Sequence, residues 1–278
     1  MLLLAQQAFP GAIAAATVDH GLRAGSVGEA ALVAQVCTAL GVPHEVLNVT
    51  VPAGNLQAQA RAARYAALAG WAERRGLAAL LTAHHADDQA ETLVLRLQRG
   101  SGVAGLAGVR GRGVVPGTSL PLLRPLLGFR RAELAALVAA AGLEAVADPS
   151  NEDERFDRAR LRKVLAGADW LDVPALAASA AHLADADAAL EWAAAREWTE
   201  CVATAPLGLT YRPTAPRAVA LRVITRIVSE LGGEAPRGAA AARVFESLLA
   251  GQPAAIGARV ARVTPEGWSF TKAPQRRS

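Results

Sequence analysis

The chain has 278 residues, 52% of them hydrophobic, and carries a formal net charge of +4 with a pI near 9.7. That length can bury a sizeable core and points to two domains, while the basic balance suits an anionic partner. Only Cys37 and Cys201 are present, far apart and without a CxxC pair. This argues against a disulfide framework, a zinc ribbon or an iron–sulfur site, and fits a reducing, cytoplasmic compartment. The opening MLLLAQQAFPG is apolar but too short for a membrane span, and it lacks the basic flank of a signal peptide.

In chain order, Met1–Ala8 reads as the end of a helix, broken by Phe9-Pro10-Gly11. Ala12–Val18 reads as a buried strand that closes with Asp19-His20-Gly21-Leu22-Arg23. A histidine and an arginine just past a strand end either face a phosphate or form a polar turn; these residues alone leave both open. Val27–Leu40 follows as an amphipathic helix stopped by Gly41, then Glu45–Val49 as a short strand. Asn55 reads as the N-cap of a helix running through Arg75, on which Arg61 and Arg64 share a face. Leu77–Leu81 is the next strand. Strands alternating with helices in this way predict a parallel, doubly wound α/β sheet.

Thr82–Gly102, TAHHADDQAETLVLRLQRGSG, is the most informative stretch. Ala90, Leu93, Val94 and Leu97 have helical spacing, and Gly100 is the stop. The polar cluster thus sits where a strand ends and a helix begins, the ligand-binding edge of an open α/β sheet. Asp88 and Glu91 fall on one helix face, where two carboxylates can hold an ammonium, a metal ion or a proton. Two alternatives stand beside this: Asp87 or Asp88 caps the helix, or the cluster binds a metal. The adjacent His84–His85 pair argues against a metal, because neighbouring side chains in extended chain point to opposite faces.

Val103–Gly117 is Gly-rich and reads as a loop, and Leu122–Leu127 carries Arg124-Pro125. Arg130–Ala141 is a helix capped by Gly142, and Asp148–Asp153 is a turn-rich boundary. Arg155, Arg158, Arg160, Arg162 and Lys163 then form a basic run. Such a run is either a solvated helix face or a surface for a phosphate backbone. Helices are predicted over 173–199, 221–231 and 239–249, a hairpin over 258–272, and a basic tail at 274–278. The expected architecture is an α/β domain over 1–165 followed by a mainly helical domain over 166–278.

Five of these segments, in order and spacing, resemble the tRNA(Ile)-lysidine synthetases of the PP-loop ATP pyrophosphatase superfamily. They are Thr17–Arg23, Asn55–Tyr65, Thr82–Gly102, Arg124–Leu127, and Asp148–Asn151 with its basic run. The resemblance implies ATP-dependent adenylation of C2 of a wobble cytidine, followed by attack of the ε-amine of free lysine. It implies that Arg64, Asp88 and Glu91 hold the lysine and carry the catalysis. It places His20, Arg23, His84 and His85 on the nucleotide side, with magnesium bridging the ATP phosphates. Arg96, Arg99, Arg155, Arg158, Arg160 and Arg162 are the expected tRNA-binding face. The expected partners are tRNA(Ile) with a CAU anticodon and free lysine, with no membrane, and a homodimer is an oligomeric state the reading allows. Another PP-loop tRNA-modifying enzyme, such as a thiolase, and a non-catalytic tRNA-binding relic are the alternatives.

One family element has no counterpart here. Residues 1–278 hold no Ser-Gly-Gly-x-Asp-Ser loop, and Gly232-Gly233 is the sole Gly-Gly pair. The family's loop precedes a hydrophobic helix resembling Met1-Leu2-Leu3-Leu4. The expectation is therefore that Met1 is an internal methionine, with a strand and the loop encoded roughly 20–30 residues upstream.

Overall fold

The computed structural model describes residues 1–278 apart from 22–25, 53, 55, 146–156, 169, 237 and 274–278. Arg23, Asn55, Arg155, the Asp148–Asp153 turn and the basic tail thus lie outside the described residues. The chain divides into two compact units, Met1–Ala184 and Asp185–Ser278.

The first unit opens with α1 (Leu2–Ala8), β1 (Ala15–Asp19), α2 (Ser26–Ala39), β2 (His44–Asn48) and α3 (Leu56–Arg74). β1 pairs with β2 in parallel, from Ala15 opposite His44 to Asp19 opposite Asn48, with α2 as the crossover. β3 (Leu80–Leu81) precedes α4 (Ala86–Gln98), and both sit ahead of α5 (Val103–Leu106), β4 (Arg112–Val114) and β5 (Pro121–Leu123). β3 pairs with β5 in parallel, and β4 lies antiparallel on the other side of β5. α6 (Arg131–Ala140) and α7 (Asp157–Gly167) complete the fold around these strands.

The alternation read from sequence is thus present, with two differences of detail. β3 keeps two of the five residues expected, because the amide of Leu77 still bonds to the Ala72 carbonyl and closes α3. The Gly-rich stretch is not one loop but α5 followed by a β4–β5 hairpin. Gly117, at φ +78°, supplies the left-handed turn, and the amide of Val115 bonds to the Leu120 carbonyl across it. Val115 is fully buried, so the hairpin is held by the core. Tyr65, Leu68, Trp71 and Ala72 form the inner face of α3 and pack with Leu47, Leu80, Val115 and Leu122.

The second unit takes the later part of α8 (Val173–Cys201), then β6 (Val202–Ala205), β7 (Gly208–Tyr211), α9 (Arg217–Glu230), α10 (Gly238–Leu249), β8 (Ala254–Ile256), β9 (Arg259–Thr264) and β10 (Gly267–Lys272). The strands form one antiparallel sheet in the order β6-β7-β10-β9-β8. The predicted hairpin is β9–β10, and the other three strands were not foreseen. They are three or four residues long, too short for a clear alternation. α9 and α10 bury Val223, Ile224, Ile227, Val244 and Leu248 with Tyr211, Trp268 and Phe270 of the sheet. Trp268 meets Tyr211 and Phe245 edge-on, at centroid distances of 5.9 and 5.6 Å. Beneath this core the buried Glu197 accepts hydrogen bonds from the Tyr211 hydroxyl, the Thr214 amide and hydroxyl, and the Ala215 amide, at 2.8–3.1 Å. Burial pushes its carboxyl up, but these donors together hold it below the usual carboxylate range. No helix among the described residues is long and apolar enough to cross a membrane.

Candidate active site

The polar residues singled out from sequence gather at the carboxyl ends of the parallel strands. At the end of β1, Asp19 Oδ1 accepts the Gly21 amide at 2.8 Å, and Gly21 takes φ +61°. This tight turn fixes His20 between them. The Nε2 of His20 lies 3.3 Å from Nη2 of Arg64 on α3. Partial burial, then the Arg64 charge, push the His20 imidazole below its ordinary pKa, against the smaller pull of Asp19.

At the end of β3 the chain turns into α4. The Thr82 hydroxyl and Nδ1 of His84 are 3.0 Å apart. Burial is the largest effect on His84 and pushes it down; Asp88 pulls it up, and Arg124, Arg61 and Arg158 push it down. The net shift is below the ordinary histidine value, so the neutral ring predominates at pH 7. Arg61 and Arg64 lie one turn apart on α3, so this helix faces both histidines. His84 and His85 have different partners: His85 approaches Asp87 and Asp88 at 3.6 Å. Among the described residues no group of histidine, cysteine and carboxylate side chains could hold a metal ion.

Each acidic residue of α4 has a structural partner. Asp88 Oδ2 accepts the backbone N–H of His85 at 3.0 Å and so caps its own helix. Asp87 Oδ2 accepts the Arg131 amide at 2.7 Å and so caps α6. Glu91, 2% exposed, takes both Nε (2.8 Å) and Nη2 (3.3 Å) of Arg162 from α7. This fork was not foreseen from sequence, where Glu91 and Arg162 were read for separate tasks. Hydrogen bonding to Glu91 holds the Arg162 guanidinium above its usual value, against burial.

A PP-loop domain model matches residues 1–168. The chain is 50% identical, over its whole length and 86% of the relative, to a tRNA(Ile)-lysidine synthase of Novosphingobium aromaticivorans. It is 40% identical, again over its whole length and 85% of the relative, to the tRNA(Ile)-lysidine synthase of Zymomonas mobilis. The chain belongs to the tRNA(Ile)-lysidine synthase family. Among solved structures, a U34-tRNA thiolase from Methanococcus maripaludis matches with a TM-score of 0.54 at 15% identity, over 66% of this chain and 65% of that one, which bears on the fold alone.

Within this PP-loop fold the expected tRNA-facing arginines divide into two kinds. Arg96 and Arg99 are exposed near the end of α4, and Arg160 is exposed on α7. Arg99 and Arg160 share Asp157, with side chains 60% and 59% exposed. Arg158 reaches back to the Thr92 hydroxyl at 3.4 Å, and Arg162 is committed to Glu91. Three residues at the site were given no role from sequence: Arg61, Arg124 and Gln89. Arg61 and Arg124 stood inside the quoted motifs, so a signal existed for them. Gln89 also stood inside a quoted motif, Thr82–Gly102, but its partner, Val109, lies 20 residues away and was not readable from it.

Proposed function

We propose that the chain is the ATP-dependent ligase that makes lysidine: it activates C2 of the wobble cytidine of tRNA(Ile) and joins it to the ε-amine of free lysine. The observation that carries this reading is α3, whose Arg61 and Arg64 put two guanidiniums one turn apart toward His84 and His20. A crevice with two cationic stations and the Asp88 carboxylate beside one of them suits a polyphosphate together with a zwitterionic amino acid. On this reading Arg64 takes the lysine α-carboxylate as a fork, and Asp88 takes an ammonium. Glu91 supports the pocket through Arg162. A neutral His84 takes no charge from the phosphates but can donate or accept one hydrogen bond beside them.

ATP use follows from the PP-loop family. We assign Mg2+ to the ATP phosphates rather than to a protein cage. Asp87, Asp88 and Glu91 each accept a protein donor, which supports this assignment, and no step is routed through a protein-held metal. The thiolase alternative has little support, because Cys37 is buried and Cys201 belongs to the other unit. The partner tRNA is assigned the CAU anticodon, and the compartment is the cytoplasm.

The test is lysine-dependent AMP release with tRNA(Ile) and ATP. Arg64→Ala and Asp88→Asn each remove one charge-assisted contact, which lowers kcat/KM for lysine about tenfold or more. Unchanged lysine dependence in both variants would remove the assignment of this crevice to lysine.

A further inference from the structure

We propose that Trp170, on the turn after α7, stacks on an unpaired base of the tRNA loop whose phosphates lie along the outer face of α7. The proposal deepens the ligase reading and rests on it for the identity of the RNA.

The two faces of α7 differ sharply. Ala159 and Leu161 point inward, 4% and 7% exposed, and Arg162 on the same side is committed to Glu91. Arg160, Lys163, Val164 and Gly167, three or four residues apart, fall on the opposite face and are exposed. Asp157 accepts Arg99 at 2.9 Å, which sets the end of α4 beside the first turn of α7. The outer surface thus carries Arg99, Arg160 and Lys163, with Asp157 as the acid that the two arginines share.

Beyond Gly167 the chain turns. The Ala168 amide bonds to the Leu165 carbonyl at 3.3 Å, and the Leu171 amide to the Ala168 carbonyl at 3.0 Å. Asp172 then caps α8, its Oδ2 accepting the Ala175 amide at 3.1 Å and its carbonyl the Leu176 amide at 3.0 Å. Trp170 stands at the third position of this turn and is 78% exposed; Val164, on the outer face of α7, is 63% exposed. Single exposed apolar residues are ordinary on a protein surface. Trp170 differs in two ways: its backbone is pinned by helices on both sides, and its ring follows directly on a cationic helix face. A rigidly held aromatic ring beside a row of cations is what an unpaired nucleic-acid segment binds, cations to the phosphates and the ring to a base.

The chemistry selects among partners. On the ligase reading C2 of the wobble cytidine has to be reached by the enzyme, so bases of that loop leave their stack. An indole replaces the lost stacking of one of them. A base-paired stem offers no free base face, so the ring favours the loop over the stem. From Arg162, beside the proposed lysine crevice, to Gly167 is about 8 Å of helix, so loop and crevice contacts lie within one RNA footprint. A second copy of the chain would set this basic face against its like, and charge disfavours that pairing.

The test uses the full chain and two synthetic RNAs, a stem-loop with the CAU anticodon loop of tRNA(Ile) and a blunt duplex, each titrated over a range of salt. Trp170→Ala should weaken the stem-loop about tenfold, leave its log–log salt slope unchanged and leave the duplex within about twofold, because stacking releases no counterions. Trp170→Tyr should recover most of the loss, and it keeps the test decisive if Trp170→Ala does not fold. Arg160→Ala should instead weaken both RNAs and lower the slope by roughly 0.7–0.9. Trp192, 67% exposed on α8, is the control, and Trp192→Ala should change neither RNA. In turnover the Trp170→Ala loss should appear in KM for tRNA(Ile), with KM for lysine unchanged. Wild-type affinity for the stem-loop in Trp170→Ala, or an equal loss for stem-loop and duplex, overturns the proposal. So does a Trp170-dependent dimer in sedimentation, or Trp170-dependent binding to anionic phospholipid vesicles, with RNA affinity unchanged. If Trp170-dependent loop binding is found but no lysidine forms, the ligase reading fails and the stacking site stands.

Discussion

Replacing Arg162 by methionine tests the energetic centre of the first unit. Methionine keeps most of the apolar stem and removes the fork from Glu91. The Glu91 side chain is 3% exposed and that of Arg162 is 31%. Removing one partner of a fully buried pair costs about 3–5 kcal/mol, because a charge is left unpaired in low dielectric. An exposed pair is worth about 0–1 kcal/mol. Water reaches Arg162 but not Glu91, so we expect about 2–3 kcal/mol, or roughly 5–10 °C in Tm for a unit of this size. Glu91→Gln with Arg162→Met should regain much of the loss, because the unpaired charge is gone. Urea unfolding of the wild type, both single variants and the double variant gives the coupling energy directly. A cost for Arg162→Met below about 0.5 kcal/mol, with no coupling in the cycle, would refute the view of this pair as a buried fastening between α4 and α7.

Three further outcomes follow from the same structure. Replacing Arg96, Arg99 and Arg160 together by alanine should weaken tRNA binding and lower the log–log salt slope by about 2, at roughly 0.7–0.9 per phosphate contact; an unchanged slope would make this a solvated face. Arg162 is left out of that set because its loss would unfasten Glu91. The folded-state pKa of His84 is depressed, so its contribution to stability is full above the ordinary histidine value of 6.5 and is lost as pH falls below it. Urea midpoints of the wild type should therefore drop from pH 7 toward pH 5, and His84→Gln should flatten that fall. In the second unit, Glu197→Ala leaves the Tyr211, Thr214 and Ala215 donors without their acceptor and should cost about 3–5 kcal/mol. The depressed Glu197 pKa makes this contribution present above about pH 4.5 and lost only in stronger acid; equal midpoints for the variant and the wild type at pH 7 would contradict the network.

The sequence was most legible where a pattern is local. Helices with a clear stop, such as those ending at Gly100 and Gly142, were placed to within a residue or two, because a left-handed glycine ends the helix whatever surrounds it. The strands β1 and β2 were similarly visible as short apolar or alternating runs. The sheet of the second unit was not, because its register depends on contacts between distant segments. Gly208 illustrates this: a Cβ there would lie 2.0 Å from the Phe270 carbonyl oxygen, 62 positions along the chain, and no neighbour in sequence announces that approach. At the site the residue types were readable and their partners were not. Nothing near Glu91 foretells Arg162, which comes from a helix 71 residues on.

That difference bears on how the acidic cluster works. Read in isolation, capping and ligand binding compete as explanations of Asp87, Asp88 and Glu91. In the fold they are one arrangement. Asp88 gives Oδ2 to the start of α4, Asp87 holds the start of α6, and Glu91 holds α7. Three carboxylates on adjoining turns thus fix three helix positions around the strand ends. Asp87 and Asp88 each keep one oxygen with no protein donor among the described residues, whereas Glu91 engages the Arg162 fork through both of its oxygens. On the proposed reading a lysine ammonium entering the crevice meets Asp88, the acid whose charge acts on His84, and has to share Glu91 with Arg162. It follows that Asp88→Asn should act mainly on the affinity for lysine, and that Glu91→Gln should act on lysine and on stability together.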